Sequence, residues 1–66
     1  MREQDLRIDV FTQPGGDCYT SIRIVHMPTG IVVRSPGFPT RGPDAESTVR
    51  HRDTLLDELR EKLNEL

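Results

Sequence analysis

A turn signal in the middle of the chain, with an extended apolar run on each side, most constrains the possible fold. The signal is Pro28-Thr29-Gly30, in which proline presets the first turn dihedral and glycine accepts a positive one. Residues 19–27 precede it, with Ile22 and Ile24 on one face. The short run Ile31–Val33 follows it. These features predict a β-hairpin over residues 19–34.

The segments before and after this hairpin predict one further strand and one helix. Residues 6–11 alternate apolar and charged side chains, the pattern of a half-buried strand, and residues 13–17 are rich in turn formers. Near the carboxyl end no glycine or proline follows Asp44, which is a candidate helix cap with Ser47 as its competitor. An apolar stripe then recurs at helical spacing: Leu55, Leu56, Leu59, Leu63 and Leu66.

Together these patterns predict a small α+β fold in β-β-β-α order. Strands are expected at about residues 5–12, 19–27 and 30–35, in a three-stranded, mainly antiparallel sheet. A loop is expected at 36–43, where prolines and glycines cluster, and a helix at about 44–65. A chain of 66 residues has room for one domain, here the whole of 1–66, with one sheet layer and one helix across it.

The charge is unevenly distributed along the chain. The formal net charge is −2: residues 53–66 carry five acids against Arg60 and Lys62, whereas residues 1–52 carry seven arginines against six acids. A protein that binds nucleic acid without a partner usually has a surplus of basic residues, because phosphate neutralisation supplies much of the affinity. Any RNA contact would therefore depend on a local arginine cluster. The candidates for such RNA or partner contacts are Arg23, Arg34, Arg41, Arg50 and Arg52.

The remaining reactive residues do not suggest a cofactor or metal. Cys18 is the single cysteine, which fits a reducing, cytoplasmic compartment, and with His26 and His51 it lacks metal-ligand spacing. His26 is expected to pack or to support the turn. No apolar run approaches the roughly 18 residues that a membrane helix needs. We expect no cofactor, no metal and no membrane contact.

The hairpin residues Arg23-Ile24-Val25-His26-Met27-Pro28-Thr29-Gly30-Ile31-Val32-Val33 resemble the hairpin of class I peptide chain release factors, which reads approximately V-R-I-T-H-x-P-T-G-I-V-V. Residues 7–11, Arg-Ile-Asp-Val-Phe, resemble the family's R-I-D-V-F-R strand, and the helix matches more loosely. The resemblance spans about residues 6–64. It implies the scaffold of the domain that hydrolyses the ester between a nascent peptide and transfer RNA.

The chain departs from the family at the residues that carry the chemistry. The family's catalytic loop holds Gly-Gly-Gln, whereas this chain has Gly15, Gly16 and Asp17 in a shorter connection. The family's reaction depends on positioning water and stabilising developing negative charge. A carboxylate in place of the neutral amide is unsuited to that task. We therefore expect no catalysis, and a simple turn is the favoured interpretation of the glycines.

Three functions remain open at this stage. The first is a non-catalytic domain that binds the ribosome, transfer RNA or a translation factor. The second is a protein-interaction or assembly module that retains only the fold and that a second copy could complete as a homodimer. The leucine stripe is expected to be mainly core, but Leu55, Leu59 and Leu66 are candidates for a helix-mediated contact. The third is a peptidyl-tRNA ester hydrolase with an altered loop.

Overall fold

A computed structural model describes residues 2–13, 19–40 and 45–66 of the chain. A short 3-10 turn, Glu3–Asp5, leads into four strands and one helix. The strands are β1 (Leu6–Gln13), β2 (Tyr19–His26), β3 (Ile31–Arg34) and β4 (Phe38–Pro39), and the helix is α1 (Glu46–Asn64). The α+β class is confirmed, and each of the three predicted strands begins and ends within one residue of its expected position.

The sheet is antiparallel throughout and is built around β2. On one side β2 pairs with β1 in unbroken register, from Leu6 opposite His26 to Gln13 opposite Tyr19. On the other side it pairs with β3 and then with β4. Ser35 bridges these two partners, because its N–H donates to the Ile22 carbonyl and its Oγ accepts from the Ile22 N–H, both at 2.9 Å.

The prediction of a loop over residues 36–43 was wrong at Phe38–Pro39, which adds a fourth strand to the expected three. The Phe38 ring is buried and stacks on His51 of α1, with centroids 3.8 Å apart and planes 2° from parallel. Next to it the buried hydroxyls of Thr40 and Thr48 lie 3.1 Å apart. Local breaker residues indicated a loop, but these contacts to the helix hold the segment against β2.

Alternation along β2 assigns its side chains to two faces. Thr20, Ile22, Ile24 and His26 are buried, and the residues between them are not. Helix α1 packs on β2 and β3 from the buried side, so that Leu55 and Leu59 meet Ile22 and Ile24 in the core. Phe38 and Val33 complete this core, with Leu6, Ile31, Leu56 and Leu63 at its margin.

At the amino-terminal end of the helix the structure describes only one of the two predicted cap residues. Asp44 lies outside the described residues. Ser47 is not the cap but the second helical residue, and its Oγ donates to Thr40 Oγ1 at 3.2 Å. Ala45 occupies the cap position without a side-chain hydrogen bond. Along the helix, Glu58 and Lys62 lie four residues apart and form an ion pair at 3.9 Å. No helix in the described part of the chain is long and apolar enough to cross a membrane.

The β2–β3 turn confirms the predicted turn and the structural role of His26. The Gly30 N–H donates to the His26 carbonyl at 2.7 Å, and Gly30 has φ = +75°, a region that favours glycine. The His26 ring is buried, with Nδ1 2.8 Å from the Thr29 hydroxyl. His26 therefore holds the turn in place.

The two leucines at positions 59 and 66 provide a matched test of the packing. Leu59 is fully buried, whereas Leu66 is 80% exposed. We expect Leu59→Ala to lower the free energy of unfolding by about 2–5 kcal/mol, because it leaves a cavity in a small core. Leu66→Ala should change it by less than about 0.5 kcal/mol. Urea denaturation followed by circular dichroism measures both, and equal effects would contradict the packing described.

Candidate RNA-binding face

The side of the sheet opposite α1 is uncovered in the described part of the chain, and it is the candidate functional site; we call it the open face. The strand register sets its residues in rows, since side chains directly opposite one another share a face. One row is Asp9, Arg23 and Arg34, and the next is Arg7, Val25 and Val32. Phe11 stands opposite Ser21 in a third row, and Tyr19 opposite Gln13 in a fourth.

Two arginines of the open face, from neighbouring rows, share one carboxylate. Asp9 Oδ2 lies 3.1 Å from Arg23 Nη2 and 3.3 Å from Arg7 Nε. Arg23 is partly buried, and its Nε is a buried donor without a hydrogen-bond partner in the described structure. Asp9 therefore holds Arg23 against the sheet and balances part of the local positive charge.

Arg34 differs from the other two arginines of this face. It stands directly opposite Arg23 on β3, is exposed, and has no carboxylate within ion-pair distance among the described residues. This face thus carries three guanidinium groups and one carboxylate, which only Arg7 and Arg23 contact. The open face is locally basic although the chain as a whole carries −2, and Arg34 provides its most available charge.

Two aromatic rings lie beside this charge. Phe11 is 53% exposed and Tyr19 is 46% exposed. They flank Ser21, and Phe11 and Tyr19 stand on diagonal positions of β1 and β2 that aromatic side chains can bridge. A shallow groove runs from Arg23 and Arg34 past Phe11, and a second continues to Tyr19 and Gly37. Exposed rings beside guanidinium groups can stack on bases while the charges meet phosphates.

The structure separates the five arginines proposed from the sequence. Arg23 and Arg34 are neighbours on the open face, whereas Arg50 and Arg52 belong to α1 on the other side of the sheet. There Arg50 pairs with Glu46 at 3.2 Å, and Arg52 lines a groove with Leu6, Ile8 and Leu56. Arg41 lies outside the described residues, as do Gly15, Gly16 and Asp17. Arg7, Phe11 and Tyr19 were not among the predicted binding residues.

The leucines considered for a helix-mediated contact are also separated. Leu55 and Leu59 are buried in the core, so their side chains are not available to a partner. Leu66 remains exposed at the end of the chain. The described residues contain no cluster of three or more His, Cys, Asp or Glu side chains that could hold a metal ion.

Curated relatives of this chain are bacterial release factors. Peptide chain release factor 1 of Desulforudis audaxviator is 38% identical over 96% of this chain, and that of Lachnoclostridium phytofermentans is 38% identical over 94%. Peptide chain release factor 2 of Lactiplantibacillus plantarum is 37% identical over 98%. The chain is a release-factor-like domain.

The release-factor-like domain corresponds to a small part of these relatives. It spans only 18%, 17% and 17% of their respective lengths, so the activity of the whole proteins does not transfer with the similarity. No family model matches the chain, and no solved structure matches it. The likeness therefore rests on sequence identity along nearly all of the chain.

Removing the shared carboxylate tests the charge arrangement on the open face. We expect Asp9→Asn to lower the free energy of unfolding by about 1 kcal/mol, because two guanidinium groups lose their anion and one of them is partly buried. The matched control is Asp57→Asn, whose exposed partner Arg60 lies 3.8 Å away. Its effect should stay below about 0.5 kcal/mol. Urea denaturation compares the two, and an equal loss would show that Asp9 is an ordinary surface acid.

Proposed function

We propose that this release-factor-like domain binds RNA of the translation machinery through its open face and does not catalyse peptide release. The observation that carries the proposal is the combination of Arg34, Arg23 and two exposed rings on one uncovered side of the sheet. Its relationship to release factors makes the ribosome the first partner to test. A cytoplasmic location accords with this function.

The unequal distribution of charge between the sheet and the helix supports RNA binding by a chain that is acidic overall. Within residues 53–66 the acidic side chains lie on α1 or just after it, for example Asp57 and Glu58, and so belong to the other layer. The Debye length at physiological salt is about 8 Å, so the electrostatic potential at the open face is set mainly by the charges on that face. A phosphate near Arg34 would meet positive charge first.

The absence of catalysis is supported by composition and by covalent geometry. The sequence contains no Gly-Gly-Gln, and its one Gly-Gly pair is followed by Asp17. Gln13 and Tyr19 are paired across β1 and β2, so five residues connect the strands. The connection from Gln13 to Tyr19 contains six Cα–Cα steps of about 3.8 Å each, which limits its total length. A reactive group there would have short reach.

Ribosome binding is tested by co-sedimentation at a series of salt concentrations. We expect Phe11→Ala to lower the binding free energy by about 1–3 kcal/mol through lost stacking. We expect Arg34→Gln to weaken binding and to reduce the slope of log K against log salt by about one phosphate contact. Arg60→Gln is the matched control, since Arg60 lies on α1 beside Asp57. If the protein does not co-sediment with ribosomes at either low or moderate salt, the proposal is refuted.

A peptide-release assay with ribosomes carrying peptidyl-tRNA tests the proposed lack of catalysis. We expect release at the rate seen without the protein, because the chain has a carboxylate where the family has its glutamine amide. Release above that background, lost on Gly16→Ala or Asp17→Ala, would instead assign hydrolase activity to this connection.

A further inference from the structure

Strand β1 forms an outer edge of the sheet that is long and regular. It is eight residues long, pairs only with β2 among the described strands, and contains neither a bulge nor a proline. Natural edge strands are usually short, bulged or covered, because an exposed ladder of N–H and C=O groups invites another strand. The outer edge of β1 is therefore a candidate site for pairing with a strand of a partner.

The direction of the unpaired backbone groups follows from the hydrogen bonds of the sheet. The Met27 N–H donates to the Asp5 carbonyl at 2.8 Å, so the backbone of Asp5 is directed toward β2. Ile22, opposite Val10, uses both backbone groups on the β3 side through Ser35. Since direction alternates along an antiparallel strand, the outward-facing residues are the even-numbered ones. They are Leu6, Ile8, Val10 and Thr12, of which Leu6 already donates its N–H to the Glu3 carbonyl of the 3-10 turn and offers only its C=O.

The same edge carries apolar side chains that the helix leaves partly exposed. Ile8 and Val10 stand opposite Ile24 and Ile22 and therefore point to the helix side of the sheet. Helix α1 packs on β2 and β3, so Ile8 remains 39% exposed and Val10 37% exposed. An additional strand at this edge would cover part of their surface.

We propose that the outer edge of β1 pairs with β1 of a second copy of this chain, antiparallel and centred on Ile8. In this register Ile8 of each copy forms a hydrogen-bonded pair with Ile8 of the other, as its outward backbone groups require. Leu6 faces Val10 of the second copy, and Arg7 faces Asp9 of the second copy, in both directions. The strand Leu-Arg-Ile-Asp-Val is thus complementary to itself in hydrophobicity and in charge.

Neighbouring registers lack this match. Centring on Arg7 sets two arginines against each other, and centring on Asp9 does the same for two carboxylates. Centring on Val10 places Asp9 against Phe11. A register centred on Leu6 would set Arg7 against Asp5, but Asp5 belongs to the 3-10 turn that precedes the strand. The charges of β1 therefore select the Ile8-centred pairing.

The pairing uses surfaces that the monomer leaves free. Arg7 has a side chain that is 65% exposed and can exchange its own Asp9 for that of the second copy, while Arg23 stays on its Asp9. The two-fold axis runs perpendicular to the sheet, so both helices lie on one side and both open faces on the other. Self-association through this edge does not require RNA.

Charge-complementary variants of the whole chain test the register by sedimentation equilibrium. We expect the wild type to associate to a dimer with rising concentration, and Arg7→Lys to behave alike. Arg7→Glu alone sets like charges opposite each other at both ends, as does Asp9→Lys alone, and each should weaken association at least about tenfold. An equimolar mixture of these two variants should regain the dimer, because every charged pair is then of opposite sign.

Amide exchange supplies a second measurement that does not depend on the folding of Asp9→Lys. The N–H groups of Ile8 and Val10 should become protected from exchange as concentration rises, whereas those of Arg7 and Asp9 should be protected at all concentrations. A wild type that stays monomeric up to its solubility limit would overturn the proposal. So would dimers that Arg7→Glu does not weaken, or outward amides whose exchange is independent of concentration.

Discussion

The contact between β2 and α1 is the interaction on which the rest of the structure depends. Ile22 and Ile24 are almost fully buried against Leu55 and Leu59, and every other strand is placed by its pairing to β2. A domain with so small a core has a low free energy of unfolding, so replacing one buried leucine removes a large fraction of it. Because side chains alternate along a strand, burying these two isoleucines also forces Arg23 to the opposite side. The core thus determines the position of the proposed binding surface.

The open face shows how a chain with a net negative charge can present a basic surface. Asp9 is shared by Arg7 and Arg23, which leaves Arg34 opposite Arg23 without an acidic partner among the described residues. Phe11 and Tyr19 add flat apolar surface beside these charges. Overall charge is therefore a poor guide here, because the sheet and the helix carry different populations of ionisable groups. For a two-layer fold, the charge on each layer is the relevant quantity.

Much of the fold could be predicted from the sequence, because its strongest signals are local. The alternation in β1 and β2, the Pro28–Gly30 turn and the leucine spacing each depend on neighbouring residues, and these elements lie where expected. Strand β4 could not be predicted in this way. Its two residues are held by pairing with Tyr19 and Thr20 and by the ring of His51, all distant in sequence. The helix cap also differed, because Ser47 bonds to Thr40 rather than to its own helix backbone.

The candidate site was only partly visible in the sequence for a related reason. Period two along β2 places Arg23 away from the core, but only the β2–β3 register shows that Arg34 stands opposite it. The same period could have linked Arg7 and Phe11 to that face, had it been applied across strands. The resemblance to release factors instead points to the connection after β1. Arg50 and Arg52 were grouped with the others by residue type, and the layer structure separates them.

The separation of odd and even positions along β2 also has a practical consequence for protein engineering. Even-numbered residues from Thr20 to His26 specify the packing, whereas Tyr19, Ser21, Arg23 and Val25 contact the core little. A library that randomises only the odd-numbered positions of β1 and β2 would therefore vary the open face while leaving the core residues unchanged. Conversely, inserting a single residue in the middle of β2 would exchange the two sets beyond that point. It would thereby place polar side chains beneath the helix and isoleucines in the solvent.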